Sequence, residues 1–192
     1  MKRIFIYTLL LVCPLTSMRC TEETAAPEPI TDPDNAAYNS YWYYTYEALE
    51  TVDYETLGLA AAADFNPYAV AQRGDTLFVA NSVAAGNSLI LYSKKAKQPL
   101  KTISTWTVNG AEKNFTSKIN AIVATDKRLY VAEQESLIHV FSLPDMEYFS
   151  CIGNGNWNGP VFQAQAITVK DGLIFARDKN GKVSVYKEAD VT

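Results

Sequence analysis

The stretch "NAIVATDKRLYVAEQESLIHVF", residues 120–141, decides the fold of this chain. An apolar run, Ala121 to Ala124, meets the polar turn Thr125-Asp126-Lys127. A second run follows, Leu129 to Ala132, then a second polar turn and a third run, Ile138 to Phe141. Short runs rich in β-branched and aromatic residues, punctuated by polar turns of a few residues, specify consecutive antiparallel hairpins. Two other stretches align with this one without gaps: "YAVAQRGDTLFVAN" (68–81) and "QAITVKDGLIFARD" (165–178), at offsets of 52 and 45 residues. Val70, Ile122 and Ile167 coincide, as do Leu77, Leu129 and Ile174, and Phe78, Tyr130 and Phe175.

Each copy continues alike. After Asn81, Glu133 or Asp178 comes a polar turn and then "LILY" (89–92), "IHVF" (138–141) or "VSVY" (183–186). The first copy carries three extra residues in that turn, between Ser82 and Ser88, where small residues make an insertion cheap. A fourth apolar run follows in two copies, "LKTIS" (100–104) and "EYFSCI" (147–152). Four short strands at a period near 45–50 residues predict an all-β chain built of four-stranded antiparallel propeller blades. The blade repeats lie near 68–104, 120–152 and 165–187 within a partial propeller spanning 38–192.

The third copy carries a family resemblance. "IGNGNWNGPVFQAQAITVKDGLIFARDKNGKVSVY", 152–186, resembles the NHL-type repeat of six-bladed β-propellers. Its matching features are the Gly-rich loop Gly153 to Pro160, Phe162, the inner strand Ala166 to Val169, Asp171 to Ala176, Asp178, and Val183 to Tyr186. The resemblance implies an architecture and is nearly silent on activity, because one such fold hosts many functions. Two full blades and three strands of another are present. Before them, "YWYYTYEAL" (41–49) and "YETLGLA" (54–60) read as a third and fourth strand. About three blades fall short of the ~4 that a closed ring needs. The expectation is therefore the N-terminal half of a longer propeller, or else a homodimer that closes a ring, with Val183 and Val185 on an open edge.

The N-terminus gives an address. Lys2 and Arg3 precede the apolar run Ile4 to Val12, which is too short for a membrane-spanning helix and reads as a secretory signal over 1–19. "TSMRCTEE" (16–23) resembles a bacterial lipoprotein signal of the Bacteroidetes type, with acids right after Cys20, although Ser17 and Arg19 depart from the usual lipobox residues. That resemblance implies a lipid on Cys20 and a place at the outer membrane, periplasmic or surface-facing. Residues 20–37 read as an acidic, Pro-rich tether. Cys151, the remaining cysteine of the folded part, reads as a small buried hydrophobe. Ten acids and no Lys or Arg lie between Cys20 and Gln72, and 14 basic against 11 acidic residues follow. No dense basic face results, which excludes nucleic acid as the partner.

Candidate sites fall in the loops. "STWTVNGAEKNFTSK" (104–118) and "GNGNWNGP" (153–160), both leading into innermost strands, set Trp106, Phe115 and Trp157 among Asn109, Asn154, Asn156 and Asn158. Aromatic faces beside amides suit a glycan; the same residues serve equally as inter-blade plugs and as positive-φ turns. Asn81, Glu133 and Asp178 occupy equivalent positions. They are weak candidates for a divalent cation, and side chains that bond the following turn otherwise. The run 38–46, "YNSYWYYTY", is a strand packed on both faces or an exposed aromatic strip. His139, the sole histidine, reads as an inter-blade packing residue, and Asp75-Thr76-Leu77 is a weak O-glycosylation pattern at Thr76. The sequence thus predicts a cell-envelope lipoprotein that binds a glycan or an envelope protein and carries no cofactor. The competing reading is a propeller lyase or lactonase with a metal at the central channel.

Overall fold

Each repeat copy folds as an antiparallel meander. The structure, a computed structural model, describes residues 48, 50–155, 161 and 163–191. The first copy gives β1 (Pro67–Arg73), β2 (Thr76–Val83), β3 (Gly86–Ser93) and β4 (Gln98–Ile103). A separate hairpin follows, β5 (Thr105–Val108) and β6 (Ala111–Asn114). The second copy gives β7 (Ile119–Ala124), β8 (Arg128–Glu133), β9 (Leu137–Ser142) and β10 (Tyr148–Gly153). The third gives β11 (Ala166–Lys170), β12 (Leu173–Arg177) and β13 (Val183–Lys187). Strands pair in chain order, so the architecture is two four-stranded blades and a three-stranded one.

Register repeats as the alignment requires. Val70 pairs with Val79, Ile122 with Val131 and Ile167 with Ala176. One backbone bond recurs at the matching place in every copy: Lys94 N–H to Asp75 O (3.0 Å), Leu143 N–H to Lys127 O (2.9 Å) and Glu188 N–H to Gly172 O (2.8 Å). The first turns reach the same hairpin by different chemistry. Asp171 and Gly172 both take positive φ, 51° and 73°, as a tight two-residue turn demands. The second copy has no glycine there; Thr125 Oγ1 instead accepts the Arg128 N–H at 3.0 Å.

Burial on both faces explains the near-continuous apolar runs of the second strands. Alternation sends Leu129 and Val131 toward the first blade, where they meet Phe78, Ala80, Leu89 and Leu91. Tyr130 and Ala132 face the third blade, where Ile174 and Ala176 wait. Fully burying each large aliphatic is worth roughly 1.5–3 kcal/mol, so these interfaces hold the blades in sequence. The remaining face of the first blade, Val79, Ile90 and Tyr92, is covered by Leu57 with Val52, Leu59 and Phe65.

Four expectations need correction. Residues 54–60 are not a strand: Asp53 Oδ1 accepts both the N–H and the hydroxyl of Thr56, winding a turn that drops Leu57 into the core. The extra residues of the first copy lengthen a ladder rather than a loop, with Asn81 paired to Ser88, Ser82 to Asn87 and Val83 to Gly86. The segment 104–118 is largely the β5–β6 hairpin, turned by Asn109 and Gly110 at φ 51° and 79°. Cys151 is exposed, because β10 is the outermost strand of its blade. Among the described residues no strand pairs with the outer edge of β13, and Val183 and Val185 on it are 55% and 54% exposed. The signal, Cys20, the tether and the aromatic run 38–46 lie outside the described residues.

Candidate functional site

The three equivalent polar residues, Asn81 within β2, Glu133 at the end of β8 and Asp178 just after β12, do two different jobs. Asn81 is 3% exposed; its Oδ1 accepts the Asn66 N–H at 2.7 Å and its Nδ2 donates to Asp64 O at 2.8 Å. Glu133 Oε1 accepts the Ser117 N–H at 3.1 Å. Both side chains reach back to the segment that leads into their blade's first strand, not forward to the next turn. The backbone repeats the clasp, with Ser82 N–H to Asn66 O at 3.1 Å and Gln134 N–H to Lys118 O at 2.9 Å. Asp178 alone of the three bonds the following turn, accepting the Lys182 N–H at 2.8 Å. Among the described residues, no three His, Cys, Asp or Glu side chains converge as a metal set.

Glu133 has a second partner. Its Oε2 lies 2.9 Å from His139 Nε2, and the two residues are 0% and 6% exposed. They sit diagonally across the β8–β9 ladder, where Val131 pairs with His139 and Glu133 stands two residues on, on the same face. A buried carboxyl group hydrogen-bonded to an imidazole fixes both side chains. The equivalent pair in the first blade is Asn81 and Ile90. The ring of His139 is set in aromatic side chains: Trp106 at 4.9 Å, Phe115 at 5.8 Å and Tyr148 at 6.0 Å between centroids. His139 Nδ1 and Trp106 Nε1 are both buried without a hydrogen-bond partner.

Trp106 is the hinge between this interior and the surface. It packs on Phe115 at 4.7 Å and lies nearly parallel to Tyr148 at 5.6 Å, 13° between planes. Outside these rings runs an open groove of about 460 Å³, between the last strand of the first blade and the start of β10. Lys101, Thr102, Thr105, Trp106, Glu147 and Tyr148 line it. Burial, followed by the hydrogen bond with Cys151, pushes the Tyr148 phenol well above its ordinary range, so it stays neutral. Two aromatic rings therefore adjoin hydroxyls, one cation and one carboxylate.

Placement separates the sequence candidates. Trp106 and Phe115 come together, but Phe115 is 3% exposed and belongs to the interior. Asn109 is a turn residue at the exposed tip of β5–β6. Asn154 is exposed beyond the end of β10; Asn156, Trp157 and Asn158 lie outside the described residues. Thr76 opens β2 and is half-buried. What sequence reasoning missed is the Glu133–His139 pair and the role of Tyr148.

No family model matches the chain, and no curated protein matches it. Among solved structures, it is similar to hydrazine synthase of Kuenenia stuttgartiensis, with 19% identity and a TM-score of 0.49 over 65% of this chain and 34% of that one. It is similar to BamB from Moraxella catarrhalis, with 11% identity and a TM-score of 0.44 over 62% and 30%. It is also similar to the computationally designed Ika4 protein, with 14% identity and a TM-score of 0.38 over 64% and 91%. The chain spans about a third of the length of the first two. The blade assignment stands on the recurring register and hydrogen bonds of the chain itself.

Proposed function

We propose that this chain is a glycan-binding propeller module of the bacterial cell envelope, secreted by its N-terminal signal and anchored through a lipid on Cys20. The acidic segment 20–37 holds the blades away from the membrane, and the repeat is of the NHL-like kind. One observation carries the binding reading: the groove beside Trp106 and Tyr148, where ring surface adjoins Thr102, Thr105, Lys101 and Glu147. Apolar rings take the C–H face of a sugar while hydroxyl and charged groups take its hydroxyls. Glu133 and His139 support the site from behind, by locking the ring against which Trp106 packs. The test is a glycan array on the purified chain, followed by affinities of the best ligand for Lys101→Ala and Thr102→Ala. Both side chains are exposed, so the fold should persist. Each lost hydrogen bond should weaken binding by roughly 3–10-fold. Unchanged affinity in both variants refutes the groove as the site.

A further inference from the structure

Folding sets a thiol beside the buried Glu133–His139 pair. Cys151 is exposed on β10, and its partner in the β9–β10 ladder is His139. Facing residues of a ladder share one face of the sheet, with Cβ atoms about 4.5–5.5 Å apart. Across three strands the order is therefore Cys151, His139, Glu133, from the exposed outer strand into the interior. That face is turned to the first blade and the β5–β6 hairpin, whereas Ile152 packs on the opposite one, toward the third blade. The first blade has Thr102, Ile90 and Asn81 at these places, so the second departs from its repeat at all three together. Glu133 Oε2 engages His139 Nε2 at 2.9 Å, while Nδ1 is buried without a hydrogen-bond partner in a side chain only 7% exposed. A hydrogen bond joins the Cys151 thiol to the Tyr148 phenol, which burial keeps neutral, and Sγ lies 4.0 Å from Gly153 O. Among the described residues, the titratable groups facing the imidazole are Glu133 from β8 and Tyr148 and Cys151 from β10; Trp106 of β5 and Phe115 add uncharged rings.

We propose that Cys151 is a nucleophilic thiol that exchanges with low-molecular-weight disulfides, with His139 Nδ1 as its proton acceptor and Glu133 holding the ring. A rotamer change at the exposed cysteine carries Sγ from Gly153 O toward the imidazole. With Nε2–H donated to Glu133, Nδ1 holds the lone pair that takes the thiol proton. The Tyr148 hydroxyl then donates to the thiolate. Attack forms a bond from Sγ to one sulfur of the disulfide and breaks its S–S bond. The leaving thiolate takes the proton from His139 and departs as a free thiol. Cys151 is oxidised and the disulfide is the oxidant, so no further reagent enters. Thiol, imidazole and carboxyl group also stand in this order in acyl-transfer triads. Here, however, a carbonyl faces Sγ, and it would repel the oxyanion that acyl transfer must stabilise. Disulfide exchange develops charge on sulfur alone. The proposal does not depend on what the Trp106 groove binds.

The probe is cystamine, a small disulfide, added to the whole chain, with the adducts quenched in acid and located by peptide mass mapping. We expect a mixed disulfide at Cys151 that forms about tenfold faster or more, near pH 7, than on the free peptide 147–153, whose thiol has no base beside it. The double variant Glu133→Asn, His139→Ile recreates the first blade's pair, and circular dichroism checks its fold. It should react at Cys151 about tenfold more slowly than the wild type near pH 7. The gap should close toward about pH 9, where hydroxide supplies the thiolate unaided. The peptide comparison needs no variant and decides the matter if the double variant misfolds. No adduct at Cys151, or a wild-type rate within about twofold of the peptide's or of the folded double variant's, overturns the proposal. So does a gap of the same size at both pH values, because His139 would then govern access to Sγ and not its proton.

Discussion

Transplanting the first blade's residue pair into the second tests the Glu133–His139 link quantitatively. His139→Ile leaves a carboxylate of zero exposure without its imidazole partner, holding the 3.1 Å bond from Ser117 N–H and a long one, 3.5 Å, from the Thr116 hydroxyl. A hydrogen bond to a charged group contributes about 1.5–3 kcal/mol, and breaking a buried pair costs up to roughly 3–5 kcal/mol. Glu133→Asn alone strips His139 Nε2 of its partner beside an Nδ1 that already has none, at about 1–3 kcal/mol. The double variant recreates the Asn81 and Ile90 arrangement, in which a short amide clasps the preceding segment and an aliphatic fills the imidazole's place. It should therefore be more stable than the sum of the singles predicts, by about 1.5–3 kcal/mol. Urea unfolding followed by far-ultraviolet circular dichroism measures all four proteins, with a constant m-value as the check that the reference states are shared. Additivity within ~0.5 kcal/mol would show that the two side chains do not act as a unit, and would refute the reasoning.

Two further outcomes follow from the interior. Phe115→Ala should destabilise the chain by about 3–5 kcal/mol in the same urea assay, because the ring is 3% exposed between Trp106, His139 and Phe141; a cost below ~1 kcal/mol would place it at the surface. Burial first, and the bond to Glu188 second, raise the Tyr130 phenol above its ordinary value of 10.0, and burial does the same for Tyr148. A raised phenol favours the folded state while both states are protonated, so its contribution holds below pH ~10 and declines as the unfolded chain ionises above it. An ultraviolet titration should show these two tyrosines un-ionised at pH 11 until the protein unfolds; smooth ionisation with the exposed tyrosines contradicts this.

The repeat was legible because a polar turn between two apolar runs is a local signal, and three gapless copies fix where each strand lies. The Glu133–His139 pair was not, since six residues of separation say nothing until the β8–β9 register places Glu133 diagonally across from His139. The β5–β6 hairpin did leave a signal: Asn109-Gly110 between "TWTV" and "AEKN" is a tight-turn dipeptide with strand-prone neighbours on one side. "YETLGLA" misled because Leu57 and Leu59 alternate as in a strand, while Asp53 and Thr56 close a turn before them. Cys151 was misjudged for a positional reason: the same alternation buries both faces of an inner strand and only part of an outermost one. For the site, Trp106 could be found as an aromatic in a polar loop, but Tyr148 comes from another blade and meets it only in three dimensions.

The most direct test of the binding groove is a titration of the isotopically labelled chain with the best-binding glycan, followed by nuclear magnetic resonance. Shift changes should concentrate at the Trp106 indole, at Lys101, Thr102, Thr105 and Thr107, and at Glu147 and Tyr148, which line one groove. Shifts confined instead to the innermost strands, around Tyr68 and the Lys118 ammonium 3.4 Å above its ring, would contradict the account.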